Sequence, residues 1–212
     1  NNMIYDVTSI GNDAFYYCKS LTSVTLGDSV TSIGWNAFSD CYSLTSITIP
    51  ESVTSIGEWA FDDCTSLTSI EIPESVTSIG DSAFCNCSSL TNITIPESVT
   101  SIGRQAFSDC KSLTSITIPE SVTSIGDYAF NNCESLTSIE IPASVTTIGD
   151  YAFWVCGNLS EVYCCALEPP CLGEYVFGDC PSDLEIYIPF GTKEAYVAAG
   201  WPENNLFEIV RS

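Results

Sequence analysis

Apolar positions along this chain recur with two different spacings inside one repeating unit. Between Leu44 and Cys64, Ile47 and Ile49 alternate with Ser46 and Thr48, the period of two that marks a strand with one buried and one wet face. Pro50 follows, and because proline has no N–H to give to a sheet ladder, it marks a corner where the chain leaves the sheet. Val53 and Ile56 carry the apolar pattern on to Gly57. Ala60, Phe61 and Cys64 then fall at spacings of one and three, which predicts a short helical turn with one face inward. Each unit is expected to run strand, corner, turn of helix.

The unit returns every 23 residues. Ile-Gly stands at Ile10-Gly11 and at each step up to Ile148-Gly149, with Ala-Phe three and four residues beyond the glycine, so that Phe15 to Phe153 form one column. Three residues past each of these phenylalanines lies a cysteine: Cys18, Cys41, Cys64, Cys87, Cys110, Cys133 and Cys156. An eighth unit with one inserted residue matches Gly173, Phe177 and Cys180 and closes with Ile186, Ile188 and Pro189. No 23-residue unit can bury its own apolar edge, so the copies must stack and share a core. The predicted architecture is an α/β repeat. Residues 1–189 form a solenoid of about eight coils, with a parallel β-sheet on one face and short helical turns on the other, and residues 190–212 form a C-terminal capping segment. In that segment 192–199 reads as a short helix stopped by Gly200, and 207–210 as a last strand. Met3 sits in a strand slot with Val7 and Ile10 in phase, so the sequence opens inside a coil and further coils are expected upstream.

Units of the type Leu-x-x-Ile-x-Ile-Pro-x-x-Val-x-x-Ile-Gly-x-x-Ala-Phe-x-x-Cys resemble the BspA-like class of leucine-rich repeats, over roughly residues 6 to 189. The tail from Ile186-Tyr187-Ile188-Pro189 to Trp201-Pro202 is similar to the closing segment of bacterial members. The resemblance implies secreted or cell-surface bacterial proteins, several of them adhesins that bind host matrix proteins or other cells, and it carries no catalytic residues. The chain departs from the pattern at Gly27, where later copies have Pro, and at Cys164-Cys165, which replaces Ile-Pro.

Composition narrows the chemistry. Lys and Arg number 5 against 27 Asp and Glu, a formal charge of −22, which repels phosphate backbones and anionic headgroups. Nucleic acid is thus excluded as a partner, and no run approaches the roughly 18 to 20 apolar residues that a membrane-spanning helix needs. Nor does a basic region followed by an apolar run open the sequence, so no signal peptide is present in it. The absence of histidine removes the Ser-His-Asp triad, the Cys-His pair and every histidine-containing metal site. No enzyme, cofactor or metal is implied. The cysteine column, Cys180 included, predicts buried thiols that act as small apolar residues, because parallel side chains about 5 Å apart are poorly posed for disulfides. Cys165 and Cys171 flank the inserted loop and are candidates for pairing.

Two surfaces stand out for binding. The outer face of the sheet carries Ser and Thr for most of its length, but toward the C-terminus its slots become Ser138 and Glu140, Glu161 and Tyr163, then Glu185 and Tyr187. Aromatic rings beside hydrogen-bonding acids suit a sugar ring or a protein hot spot; the alternative is a solvated strand face with cross-strand tyrosine contacts. The second surface uses slots that vary between copies and holds Trp35, Trp59, Tyr128, Tyr151 and Trp154; the alternative there is ordinary packing of bulky residues. Glu140 and Glu161 lie one coil apart and two residues offset, about 8 Å, a separation compatible with a glycosidase pair, but a flat polar sheet offers little desolvation to raise an acid's pKa. A weak calcium site among the carboxylates and an ice-ordering Ser/Thr face are further alternatives, opposed by the lack of an Asp-rich loop and by Glu71, Asn92 and Glu140, which interrupt the rows. The expected role is a cell-surface or secreted scaffold that mediates adhesion through a host or neighbouring-cell protein or glycan, with a spacer in a larger surface protein as the alternative.

Overall fold

A computed structural model describes residues 6–210, so the expectation for Met3 lies outside the described residues. The coils stack as a pile of short parallel strands, two per coil rather than one. The first strand of each coil is the one read from Ile-x-Ile, as in Ser46–Thr48 and Asn92–Thr94. These strands pair coil to coil in register 23 residues apart: Ser23 opposes Ser46 and Ser69 opposes Asn92. Toward the C-terminus they widen into a continuous four-stranded sheet of Ser138–Ile141, Glu161–Cys164, Glu185–Pro189 and Leu206–Ile209.

The second strand follows the corner. Pro50, Pro73, Pro96, Pro119 and Pro142 each accept a hydrogen bond at the carbonyl from the N–H of the valine three residues on, at 3.0 to 3.1 Å, which makes every corner a β-turn. Gly27 makes the same bond to Val30, so the missing proline leaves the corner intact. Beyond it, Ser32–Ile33, Ser55–Ile56 and their successors to Cys171–Leu172 form a seven-stranded parallel sheet. The Ser-Val-Thr run at the corner is structural. Ser75 Oγ donates to the Val53 carbonyl at 2.6 Å and Thr54 Oγ1 to the Thr31 carbonyl at 3.3 Å, and the same bonds recur along the stack, tying each coil to the one before.

The helical turns predicted after each glycine are replaced by a different ribbon. Its N–H groups alternate in direction: those of Asp13, Phe15 and Tyr17 go to carbonyls of the next coil, on Trp35, Ala37 and Ser39, whereas those of Ala14, Tyr16 and Cys18 bond back three residues within their own coil. Helix would spend all of these donors internally and leave neighbouring coils unjoined on this side. The alternation requires left-handed backbone two and six residues past every glycine, for example Asn36 at φ 58° and Asp40 at φ 58°. At the second of these positions six of the eight coils carry Asp40, Asp63, Asn86, Asp109, Asn132 and Asp179, residues whose short polar side chains tolerate that conformation, and Tyr17 and Val155 stand in the other two.

Inside, the eight phenylalanines from Phe15 to Phe177 form one stack with neighbouring ring centroids 5.0 to 5.7 Å apart and planes within 10°. From Cys41 onward each cysteine of the column donates its S–H to the phenylalanine carbonyl of the preceding coil, Cys64 to Phe38 and Cys110 to Phe84 at 3.2 Å. Burial pushes the Cys41 thiol up to about 11 and the Cys156 thiol to about 12, so these sulfurs stay protonated and inert. Cys180 is only half-buried, and Cys18 departs further from the expected buried column. It belongs to the first coil, has no earlier phenylalanine carbonyl to meet among the described residues, and is exposed. Cys165 and Cys171 are both thiols in this structure.

The helix near the end spans Lys193–Ala198, and the last strand, Leu206–Ile209, pairs in parallel with Glu185–Pro189. Trp201 tilts over Phe177 at 5.9 Å, at the end of the ring stack. Its indole donates to the Pro170 carbonyl at 3.1 Å, and the Tyr196 hydroxyl donates to the Ala166 carbonyl at 2.6 Å. The inserted loop after Cys165 thus supplies the acceptors that let two large aromatics be buried at this end.

Candidate functional site

Coil-to-coil register decides what the C-terminal sheet presents. Glu140 opposes Tyr163, which opposes Tyr187, which opposes Phe207; one outward slot earlier, Ser138, Glu161 and Glu185 stand side by side. Because alternate residues point to the same face, these form two parallel rows on the outer surface. The Tyr163 and Tyr187 rings stack at 4.8 Å, and Phe207 continues the row 6.0 Å from Tyr187. Each tyrosine hydroxyl donates to the glutamate two residues before it, Tyr163 to Glu161 Oε2 at 3.0 Å and Tyr187 to Glu185 Oε2. That bond to Glu185 is the main reason the Tyr187 phenol is pushed up to about 12, so the ring remains a neutral donor at any physiological pH. Glu140 accepts from the Cys165 thiol at 3.2 Å. The five residues singled out on the sheet are thus brought together and fixed in orientation. Glu140 and Glu161 stand on an open face, one exposed and one half-buried, with a tyrosine hydroxyl on the latter.

The variable-slot residues divide into two groups on the turn ribbon. Trp35 and Trp59 meet edge to face at 6.0 Å. Tyr128 and Tyr151 stack at 4.9 Å, Tyr151 meets Trp154 edge-on at 5.6 Å, and the Trp154 indole donates to Asp179 Oδ2 at 3.0 Å. Sequence reasoning missed Tyr175, which extends the stack from Tyr151 at 5.4 Å. The signal was available, since Tyr175 lies two residues after Gly173 as Tyr151 does after Gly149. Trp59, Tyr128, Tyr151 and Tyr175 all hold left-handed backbone, φ 52° to 58°, a conformation that costs a bulky residue about 1 kcal/mol or more. Phe207 was also missed, although it occupies the next outward slot after Tyr187.

Acidic residues along the ribbon interact between coils. Asp81 Oδ1 accepts the backbone N–H of Arg104 at 2.8 Å, and Asp109 accepts from the Asn132 amide at 2.6 Å. Asp62, which shares a hydrogen bond with the Cys85 thiol of the next coil, is also partly buried. Burial first, and the neighbouring Asp63 charge second, push its carboxyl up to about 6. The folded state therefore binds a proton that the unfolded chain releases near its ordinary value of 3.8, and stability falls as pH rises from about 4 through 6. Asp62→Asn is expected to raise stability at pH 7 by on the order of 1 kcal/mol, below the roughly 2.7 of an unscreened two-unit shift because the group is part-exposed, and by nearly nothing at pH 4. Urea denaturation of both proteins between pH 4 and 7 checks this; a difference that does not change with pH would refute it.

Among the described residues no group of three or more ligand-type side chains is placed to hold a metal ion, and no helix is long and apolar enough to cross a membrane. The family described as BspA type leucine rich repeat region matches residues 2–114 and 77–198, with six copies of the repeat. None of the curated proteins matches the chain. Among solved structures, a leucine-rich repeat protein from Bacteroides ovatus is 31% identical with a TM-score of 0.70, over 87% of this chain and 59% of that one, so this chain spans under two thirds of its length. The leucine rich repeat protein of T. pallidum is also 31% identical, with a TM-score of 0.66 over 92% of this chain and 78% of that one. The pneumococcal vaccine antigen PcpA, 17% identical over 97% of this chain and 72% of its own with a TM-score of 0.55, shares the fold. A matched repeat that runs through nearly all of the sequence, carried on the stacked coils and ring column described above, makes this chain a member of the BspA-type leucine-rich-repeat family.

Proposed function

We propose that the chain is a protein-binding scaffold displayed outside a bacterial cell, and that it meets its partner through the C-terminal end of the outer sheet. The observation that carries this reading is the Tyr163–Tyr187 stack, with both hydroxyls held by glutamates, on a face that is mostly serine and threonine toward the N-terminus. Tyrosines held by stacking and hydrogen bonds lose little freedom on binding and offer large contact area, the properties of interface hot spots. The extracellular location rests on the family, and the charge of −22 is consistent with a partner that is neutral or basic.

The test is binding of the purified chain to an array of extracellular matrix proteins and glycans, beside a Tyr163→Ala, Tyr187→Ala double variant. Protein spots bound by the parent are expected to weaken about thirtyfold or more in the variant, with its thermal unfolding little changed because both rings are on the outer face. Unchanged binding in the variant, with loss in Tyr151→Ala, would move the site to the turn ribbon. Binding to glycans alone would replace the protein partner with a sugar, and an array without any bound spot would leave the segment as a spacer.

A further inference from the structure

Next to the two tyrosines the same face becomes apolar. Two residues beyond Tyr187 and Phe207, Pro189 stands opposite Ile209, and Cys165 lies two residues beyond Tyr163, just past the end of the adjoining strand. With Leu167, Phe190 and Val210 these residues line a cavity of about 300 Å³. Leu167, Phe190 and Val210 are 70%, 71% and 80% exposed, the largest apolar exposures clustered at one place on the described molecule. Apolar side chains left in water around a concavity this size favour an apolar occupant, at about 25 cal/mol for each Å² covered.

On the other side of the tyrosines, Glu161 and Glu185 face each other across neighbouring strands. Like charges in directly opposed positions repel, and among the described residues neither has an ion-pair partner. A cation placed between them would relieve that repulsion. The two features are separated by four residues along the strand direction, Glu161 to Cys165 and Glu185 to Pro189, which is about 13 Å at about 3.3 Å per residue.

We propose that this end of the sheet takes an extended protein segment whose apolar side chain fills the Leu167–Phe190–Val210 pocket and whose lysine or arginine, four residues away, sits on the Glu161–Glu185 pair. The residue midway between them lies over the Tyr163 and Tyr187 rings. Charge decides the occupant. A second copy of this chain carries the same −22 and is repelled, as is an anionic membrane, whereas a basic segment is attracted. The proposal rests on the reading of this face as a protein-binding surface and adds the pocket, the spacing and the sign of the partner's charge.

The probes are short acetylated peptides with one Leu and one Lys four residues apart in a Ser/Thr background, the same composition with Leu and Lys adjacent, and the four-apart peptide with Glu in place of Lys. Titrations are followed by two-dimensional NMR at low and at 0.5 M salt. The four-apart Leu/Lys peptide is expected to bind about tenfold more tightly than either control, and to lose most of that advantage at high salt. Phe190→Ser, at an exposed position that leaves the fold unaffected, should weaken it about five- to tenfold, and Glu161→Gln with Glu185→Gln should abolish the preference for Lys over Glu. Equal binding of the three peptides, binding indifferent to these variants, or no shifts at millimolar peptide would overturn the proposal. Array binding lost in the tyrosine double variant but indifferent to Phe190→Ser would sink the pocket and leave the broader reading standing.

Discussion

Replacing Phe84 by alanine is expected to lower the free energy of unfolding by about 3 to 5 kcal/mol, the range for removing a fully buried phenylalanine from a core that cannot collapse around the gap. Phe84 is wholly buried, and its ring lies between those of Phe61 and Phe107 at 5.3 and 5.6 Å with planes within 5°. Its backbone is pinned as well. The N–H donates to Ala106, and the carbonyl receives the N–H of Cys87 and the S–H of Cys110. The neighbours therefore cannot move in to fill the space. A solenoid is stabilised by contacts between adjacent coils, so a defect in the middle weakens two interfaces. Phe15→Ala serves as the comparison. Phe15 is half-buried and among the described residues has one stacking neighbour, Phe38, so about 1 to 2 kcal/mol is expected there. Urea denaturation followed by circular dichroism measures both. Equal losses at the two positions would show that the stack contributes no coil-to-coil coupling, and a split transition in Phe84→Ala would show two halves unfolding separately.

The repeat, the strand, the corner and the buried cysteine column were legible in the sequence because each follows from a periodicity or a backbone restriction. A Pro-Glu-Ser-Val corner needs only the proline to be read as one. The ribbon after the glycine was misread because Ala60, Phe61 and Cys64 bury at the same spacing whether the backbone is helical or alternates between right- and left-handed residues. Apolar spacing reports which side chains point inward and says nothing of where the N–H groups go. The distinguishing signal was the Asp or Asn six residues past most glycines, a residue class at home in left-handed backbone. The second strand was hidden for a similar reason, since at two residues it is too short to show alternation. The tyrosine and glutamate rows were legible because a 23-residue period, 24 across the insertion, places Glu140, Tyr163 and Tyr187 in one row. The pocket beside them was not. Leu167, Phe190 and Val210 come from the inserted loop, the bend after Pro189 and the end of the last strand, three segments outside the repeat that meet only once the closing strand pairs with its neighbour.

Gly80→Ala is expected to cost about 3 kcal/mol, the upper end of what overpacking a rigid site exacts. The glycine column looks at first like a requirement for unusual backbone, yet Gly80 does not adopt left-handed φ, so its own conformation would accept any residue. The requirement comes from the coil before it. A Cβ on Gly80 would stand 2.5 Å from the Glu58 nitrogen and 2.6 Å from the Gly57 carbonyl carbon, both backbone atoms of the preceding coil. Those atoms cannot step aside, because Gly80 N–H is bonded to the Ile56 carbonyl at 3.0 Å and the strands on the N-terminal side are paired in register. Relief therefore means separating two coils along the whole contact. Gly11 occupies the identical slot in the first coil, where a Cβ would meet no described atom within 4 Å, and Gly11→Ala is expected to leave stability unchanged within about 0.5 kcal/mol. The pair isolates the cause: the same substitution, in the same slot of the same repeat, differing in whether another coil lies against it. Chemical denaturation of the two variants decides the matter. If Gly11→Ala costs as much as Gly80→Ala, the glycine is needed for its own backbone rather than for the approach of its neighbour.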